Sequence, residues 1–230
     1  MKERTLALLS LAAFFAFLVI AVAVKLDPSL GRSELQVTLW ANHLQLGEPL
    51  NSLLVGASLY GREYFWIALV GIMLLFGDRR TKLVALGLCA VFVVGIAAGE
   101  VAKAVIARPR PYLLAQQQAS SGAPIVRIPF DTDYSFPSGH ALIVSIGAVY
   151  SLLTFRKKWV AGLLLVEALV VCFSRLYVFA HFPTDVIAGF ALGSAIALAG
   201  RAVERRYLVK FGDQAADFVV KLLRDGPLKL

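Results

Sequence analysis

A chain of 230 residues that is 59% hydrophobic and 17% charged, with mean hydropathy +0.74, departs from the roughly 45–50% apolar and roughly 25% charged make-up of soluble domains. Its apolar residues fall in long runs, which excludes a water-soluble enzyme and predicts one bilayer-embedded, all-α domain over residues 1–230. The net charge of +8 lies mostly beside those runs and forms no stripe on a soluble surface, which argues against nucleic-acid binding.

Residues 5–24 carry no charge and are long enough to cross about 30 Å of hydrocarbon. Lys2 and Arg4 precede them, and Ala21-Val22-Ala23 has the small-x-small pattern of a signal-peptidase site. The run exceeds the roughly 7–15 residues of a signal-peptide core, so a retained helix is expected. A mixed stretch over 25–58, with Pro28, Gly31, Gly47 and Pro49, predicts one or two short helices along the membrane surface. A second span is expected over 59–77, with Arg62 and Glu63 snorkelling at its start. Further spans follow over 83–102, from 138 to just before Arg156, over 159–173 and from 183 to Arg201, making six. Between them, Pro109, Pro111 and Pro124 forbid one continuous helix across 104–137. The tail, 201–230, interleaves basic and apolar residues and predicts a surface helix.

Charge orients these spans. The N-terminus, the 78–82 turn, the 156–158 turn and the tail hold 15 Lys and Arg, whereas the opposite loops hold 8. Basic loops stay cytoplasmic, so a multi-pass plasma-membrane protein with both termini inside and its larger loops extracytoplasmic is expected.

Three stretches border that outer face: Lys103 to Pro111, Pro137-Ser138-Gly139-His140, and Ser174 to Asp185. Lys103, Arg110 and Arg175 offer three positive charges, and arginine forks suit phosphate oxygens. Ser138 and Gly139 open the fourth span, where free backbone N–H groups and the helix dipole favour an anion. Gly139 lets phosphate approach the backbone. Asp185 stands four residues after His181, and with Pro183 in the first helical turn its carboxylate can reach back to the imidazole. One ring nitrogen is then held and the other is left to attack phosphorus. His140 becomes the proton donor to the departing oxygen.

Taken together, these stretches resemble the signature of the type-2 phosphatidic acid phosphatase superfamily. That signature is Lys-x6-Arg-Pro, Pro-Ser-Gly-His and Ser-Arg-x5-His-x3-Asp, matched without a gap over residues 59–200. The resemblance implies a six-helix membrane fold and metal-independent phosphoryl transfer through a phosphohistidine on His181, with no cofactor. Its implied partner is a membrane lipid phosphate or diphosphate, with a polyprenyl diphosphate such as undecaprenyl diphosphate preferred. Phosphatidylglycerophosphate, phosphatidic acid and lipid A are the alternative substrates. A lipid-to-lipid phosphotransferase and a non-catalytic lipid-binding protein are the rivals from other classes. Related haloperoxidases are soluble, which these spans exclude.

The remaining polar residues invite plainer readings. Arg108 is a basic loop residue between motif positions, and His43 a polar residue without a partner motif. Glu100 pairs with Lys103, and Glu167 lies in a span facing the bundle interior. Asp131 and Asp133 are solvated or capping residues of the long loop rather than metal ligands. Cys89 and Cys172, inside apolar runs and outside any Cys-x-x-Cys pair, are packing residues, neither metal ligands nor a disulfide. Tyr112, Leu113, Leu114 and Phe130 are candidates for an apolar substrate entrance.

Overall fold

A computed structural model describes residues 1–61, 63–117 and 123–211, and of residues 63 and 207–211 the backbone only. Among the described residues all regular structure is helical. The order is α1 (Glu3–Leu26), α2 (Ser29–His43), α3 (Leu50–Tyr60), α4 (Glu63–Phe76), α5 (Arg79–Ile106), α6 (Pro111–Gln117), α7 (Gly139–Thr154), α8 (Lys158–Tyr177) and α9 (Pro183–Phe211).

Local chemistry explains the boundaries. Asp78 caps α5 by accepting from the Thr81 N–H at 2.8 Å, and Ser138 caps α7 by accepting from Ala141. Proline opens both α6 and α9, where its missing N–H costs nothing. At the far end of α5 the chain turns through Ala107, which adopts a left-handed φ of 53°. Phe179, just past α8, does the same at 62°. Non-glycine residues take this conformation only when their surroundings enforce it, and these two flank the site described below.

The centre of the bundle is α7, packed against α9, α8 and α5, while α1 lies along α9. Gly189 and Gly193 make the α7–α9 contact close. A Cβ at Gly189 would stand 2.4 Å from the Ser138 carbonyl oxygen, and one at Gly193 would stand 2.3 Å from that of Leu142. Small residues at this four-residue spacing let helix backbones approach each other in a bilayer. From α4, the Trp66 indole fills the space beside Gly147.

Among the described residues four helices, α1, α5, α8 and α9, are long and apolar enough to cross a membrane by themselves. The expected single span over 59–77 is instead a bent pair, α3 and α4, with 67° between them. The break falls where Gly61 is pressed against Val171 and Ala57, beside the charged Glu63. At 16 residues, or about 24 Å at 1.5 Å per residue, α7 is shorter than a full crossing. Helix α9 does not end at Arg201 as expected but continues to Phe211. The expected tail helix beyond it, 212–230, lies outside the described residues. Of the one or two short helices expected in 25–58, α2 lies wholly within that stretch, whereas α3 belongs to the bent pair.

The basic clusters gather at one end of the bundle. Arg80, Arg156 and Lys157 line one groove there, and Arg206 pairs with Glu3 at 3.7 Å. Leu6, Leu153 and Leu198 pack together in a small apolar cluster joining α1, α7 and α9.

Candidate active site

At the other end α5 and α8 finish while α7 and α9 begin, and the three motif stretches meet there. Lys103 and Arg175 occupy the last turns of their helices, where cations are favoured. His181 and Asp185 bracket the start of α9, and Ser138 and Gly139 the start of α7.

The electrostatic centre is Arg110. Its guanidinium donates to the Ala180 carbonyl at 2.9 Å and stands 3.4 Å from His181 Nε2. The Asp131 carboxylate bridges Arg110 Nη1 at 3.0 Å and Arg175 Nη2 at 2.9 Å. Asp133 accepts from Lys103 Nζ at 2.5 Å and also pairs with Arg110. These two aspartates are therefore not the plain solvated loop residues expected from sequence; they neutralise the three cations proposed for phosphate. Both remain substantially exposed, at 43% and 49% of their side-chain surface. Burial opposes the charged form of Asp133, but hydrogen bonds from Lys103 and Arg110 outweigh it and lower the carboxyl to about 2. Asn42 anchors the preceding part of this loop, donating to the Ile125 carbonyl at 3.1 Å and accepting from its N–H at 2.7 Å.

The imidazole of His181 is held differently from the expectation. Its Nδ1 lies 2.8 Å from the Ser135 carbonyl oxygen, whereas Asp185 Oδ2 is 3.7 Å away. A carbonyl only accepts, so Nδ1 carries the proton and the lone pair sits on Nε2, facing Arg110. Asp185 acts through its neighbour: it accepts from the Ser135 hydroxyl and from the Phe182 N–H at 2.9 Å. Burial first, then the charges of Arg110 and Arg175, holds His181 well below the ordinary histidine value of 6.5. The ring is thus neutral at pH 7, with its unprotonated nitrogen turned toward the cations. That is the state a nucleophile needs.

Arg108, expected to be a plain loop residue, is buried. It donates to Asp185 Oδ1 at 2.5 Å and to Glu34 Oε2 at 2.6 Å, and lies 4.1 Å above the Phe182 ring. Glu34 and Ser135, which hold the same cluster, are polar residues that sequence reasoning passed over. His140 points its Nε2 at the Ser58 carbonyl, 3.0 Å away, and Arg175 reaches the same residue through its hydroxyl. Glu100 meets Lys103 at 3.3 Å as expected, and His43 Nε2 lies 2.9 Å from the Ala123 carbonyl. Both carboxylate oxygens of Glu167 are buried and lack a hydrogen-bond partner among the described residues. Cys172 is buried, Cys89 partly so, and both are free thiols.

Two cavities meet here. A polar one of about 370 Å³ is lined by Lys103, Arg110, Asp131, Asp133, Gly139, His140 and His181. An apolar one of about 580 Å³ runs between α4, α5 and α7 past Trp66, Val70, Leu74, Phe92, Ile96 and Leu142. Lys103 and Gly139 line both. Of the residues expected at an entrance, Tyr112, Leu114 and Phe130 pack with Leu35, Leu39 and Phe182, the Tyr112 and Phe130 rings stacked at 4.7 Å; Phe130 also lines the polar cavity, and Leu113 is exposed. Among the described residues no three His, Cys, Asp or Glu side chains converge as a metal-ligating set.

Comparison with known proteins places the chain in a family. The family model of the PAP2 superfamily matches residues 83–207, which contain every motif residue named above. An undecaprenyl-diphosphatase of Sulfolobus acidocaldarius is 41% identical over 191 residues, covering 82% of this chain and 87% of that protein. Phosphatidylglycerophosphatase B of Bacillus subtilis is 35% identical over 82 residues, 31% of this chain and 38% of its own length. The crystal structure of a transmembrane PAP2-type phosphatidylglycerolphosphate phosphatase from Bacillus subtilis superposes with a TM-score of 0.67 at 23% identity, covering 86% of this chain and 96% of that one. The chain belongs to the PAP2 superfamily and is one of its membrane phosphatases.

Proposed function

We propose that this protein hydrolyses a polyprenyl diphosphate in the membrane through a phosphohistidine on His181. The observation that carries the reading is the junction of the two cavities. A polar chamber lined by Lys103, Arg110 and His181 shares its Lys103 and Gly139 walls with an apolar trench suited to a lipid chain. The undecaprenyl-diphosphatase relative supports the choice of a diphosphate over a monoester.

In this mechanism the terminal phosphate is bound by Lys103, Arg110 and Arg175 and by the backbone N–H groups where Ser138 and Gly139 open α7. His181 Nε2 forms a bond to phosphorus while the bond to the bridging oxygen breaks and its electron pair leaves with the lipid phosphate. His140 gives that oxygen its proton. A water then attacks the phosphohistidine, losing its proton to His140, and inorganic phosphate departs. Positive charge around the transferring group supplies most of the acceleration, so no metal is invoked. The chain crosses the membrane six times, with α3–α4 and the short α7 completing the set and the basic end inside. The lopsided distribution of Lys and Arg supports that orientation.

The test is a panel of undecaprenyl diphosphate, phosphatidylglycerol phosphate and phosphatidic acid in detergent micelles, following phosphate release. The diphosphate is expected to show the highest kcat/KM; a clear preference for either monoester overturns the substrate assignment. His181→Ala should lose at least about 10³-fold in kcat and trap no acid-labile phosphoprotein. Turnover near that of the parent protein in this variant would remove the nucleophile assignment.

A further inference from the structure

We infer that Glu34 and Arg108 are positioning residues for His181: a buried chain, Glu34–Arg108–Asp185–Ser135–His181, sets the imidazole and the charge behind it. This rests on the reading of His181 as nucleophile.

The chain begins on α2, outside the three motif stretches. Glu34 Oε2 accepts from Arg108 Nη2 at 2.6 Å and from the Thr184 hydroxyl at 2.8 Å, and Oε1 accepts from the Thr184 N–H at 2.7 Å. Arg108 Nη1 donates in turn to Asp185 Oδ1 at 2.5 Å. The other Asp185 oxygen takes the Ser135 hydroxyl, and the Ser135 carbonyl takes the proton of His181 Nδ1. The Ser135 N–H donates to the Arg108 carbonyl at 2.8 Å, closing a ring of contacts around the Arg108 backbone. Glu34, Arg108, Ser135, Asp185 and His181 are all buried. Groups so desolvated hold each other in one arrangement, because a lost partner leaves a charge stranded.

The charges give the chain a further consequence. Arg108 is shared between two carboxylates, so it does not fully neutralise Asp185. When Nε2 bonds to phosphorus and the leaving oxygen takes the electron pair of the broken bond, the ring becomes cationic. The Ser135 carbonyl and the Asp185 carboxylate, 3.7 Å from Nδ1, then face that charge. Without the carboxylate of Glu34, Arg108 would spend its whole positive charge on Asp185 and oppose the developing imidazolium. Lys103, Arg110 and Arg175 oppose it from the other side, tempered by Asp131 and Asp133, and His140 shares the polar cavity. Placing one carboxylate more than Arg108 needs behind the ring offsets that field.

Glu34→Gln keeps the size of the side chain and most of its hydrogen bonds. It is expected to lower kcat by about 10–100-fold with KM for the lipid unchanged, the effect of displacing a catalytic group without touching substrate. The acid limb of kcat/KM should move to lower pH, because one negative charge near the imidazolium has gone. Ser135→Ala, which spares the carbonyl and removes only the hydroxyl link to Asp185, should lower kcat by a smaller factor; it serves if the first variant does not fold. A merely structural salt bridge predicts lower thermal stability with kcat and the acid limb of the folded protein unchanged. That result in either variant, with His181→Ala inactive, overturns this inference and leaves the nucleophile in place. An active His181→Ala instead removes the reading beneath it.

Discussion

His181 stands between two polar neighbourhoods built from the same residue types. Behind it, Glu34, Arg108, Asp185 and Ser135 are buried and satisfied by one another. In front, Lys103, Arg110 and Arg175 are also buried, but their carboxylate partners, Asp131 and Asp133, sit on an irregular loop with nearly half their surface in solvent. The difference separates a support from a binding surface. Ion pairs with an exposed member are weak and exchangeable, whereas pairs buried on both sides are costly to break. In the proposed mechanism a phosphate takes the place of Asp131 and Asp133 on the cations, while the buried Arg108–Asp185 pair stays intact.

The strongest way to break this contrast is Arg110→Ala. The front arginine is proposed to meet the transferring phosphate, so its loss should lower kcat/KM by about 10²–10³-fold, as for one preorganised transition-state donor. The same variant removes a charge that holds the His181 pKa down, so the acid limb should move upward in pH. Glu34→Gln is expected to move it the other way. Steady-state kinetics from pH 4 to 9 on both variants read the two signs, and shifts in one direction would erase the distinction between front and back.

The front neighbourhood was largely legible in the sequence, and the reason is local. Lys103, Arg110, Ser138, Gly139, Arg175 and His181 recur at fixed spacing beside predicted helix ends, where a cation or a free N–H has an electrostatic use. The back was not. Its partners lie 50 to 150 residues apart, and no short pattern links Glu34 to Arg108 or Thr184. One signal was available: Glu34 shares the buried face of α2 with Leu35, Thr38 and Leu39, and a carboxylate on such a face calls for a partner. Ser135 acts through its carbonyl as well as its hydroxyl, and a main-chain acceptor has no side-chain signature at all. The bend after Tyr60 was missed for a related reason. Charges beside an apolar run read equally well as a snorkelling end and as a break, and the sequence holds nothing local that chooses between them.

A smaller effect is expected at the apolar trench, which sharpens the comparison by testing what the front surface binds. Gly71 lines the trench on α4, and a Cβ there meets nothing within 4 Å, so a larger side chain enters open space rather than the core. Gly71→Phe should raise KM for a long polyprenyl diphosphate by about tenfold, the equivalent of losing only ~55 Å² of apolar contact at ~25 cal/mol per Å². A short-chain, water-soluble phosphate should be turned over unchanged. Equal loss on both substrates would show that the trench does not hold the lipid chain.

The smallest expected effect bears most directly on the exchangeable character of the front. Asp133→Asn removes a carboxylate that competes with phosphate for Lys103 and Arg110. KM for substrate, and the inhibition constant of inorganic phosphate, should both fall by about two- to fivefold, the range of a partly exposed ion pair. The sign depends on which role prevails. A competing anion weakens binding, so its removal tightens it; a carboxylate needed to shape the pocket would, when removed, loosen binding instead. The pH dependence separates these roles further. With its carboxyl lowered from 3.8 to about 2, Asp133 stays charged throughout any ordinary assay range, and the competition it exerts is lost only as pH falls toward that value. The ratio of KM between the parent protein and Asp133→Asn should therefore stay flat from pH 5 to 8. A ratio that changes across that window would count against Asp133, charged throughout it, as the competing anion.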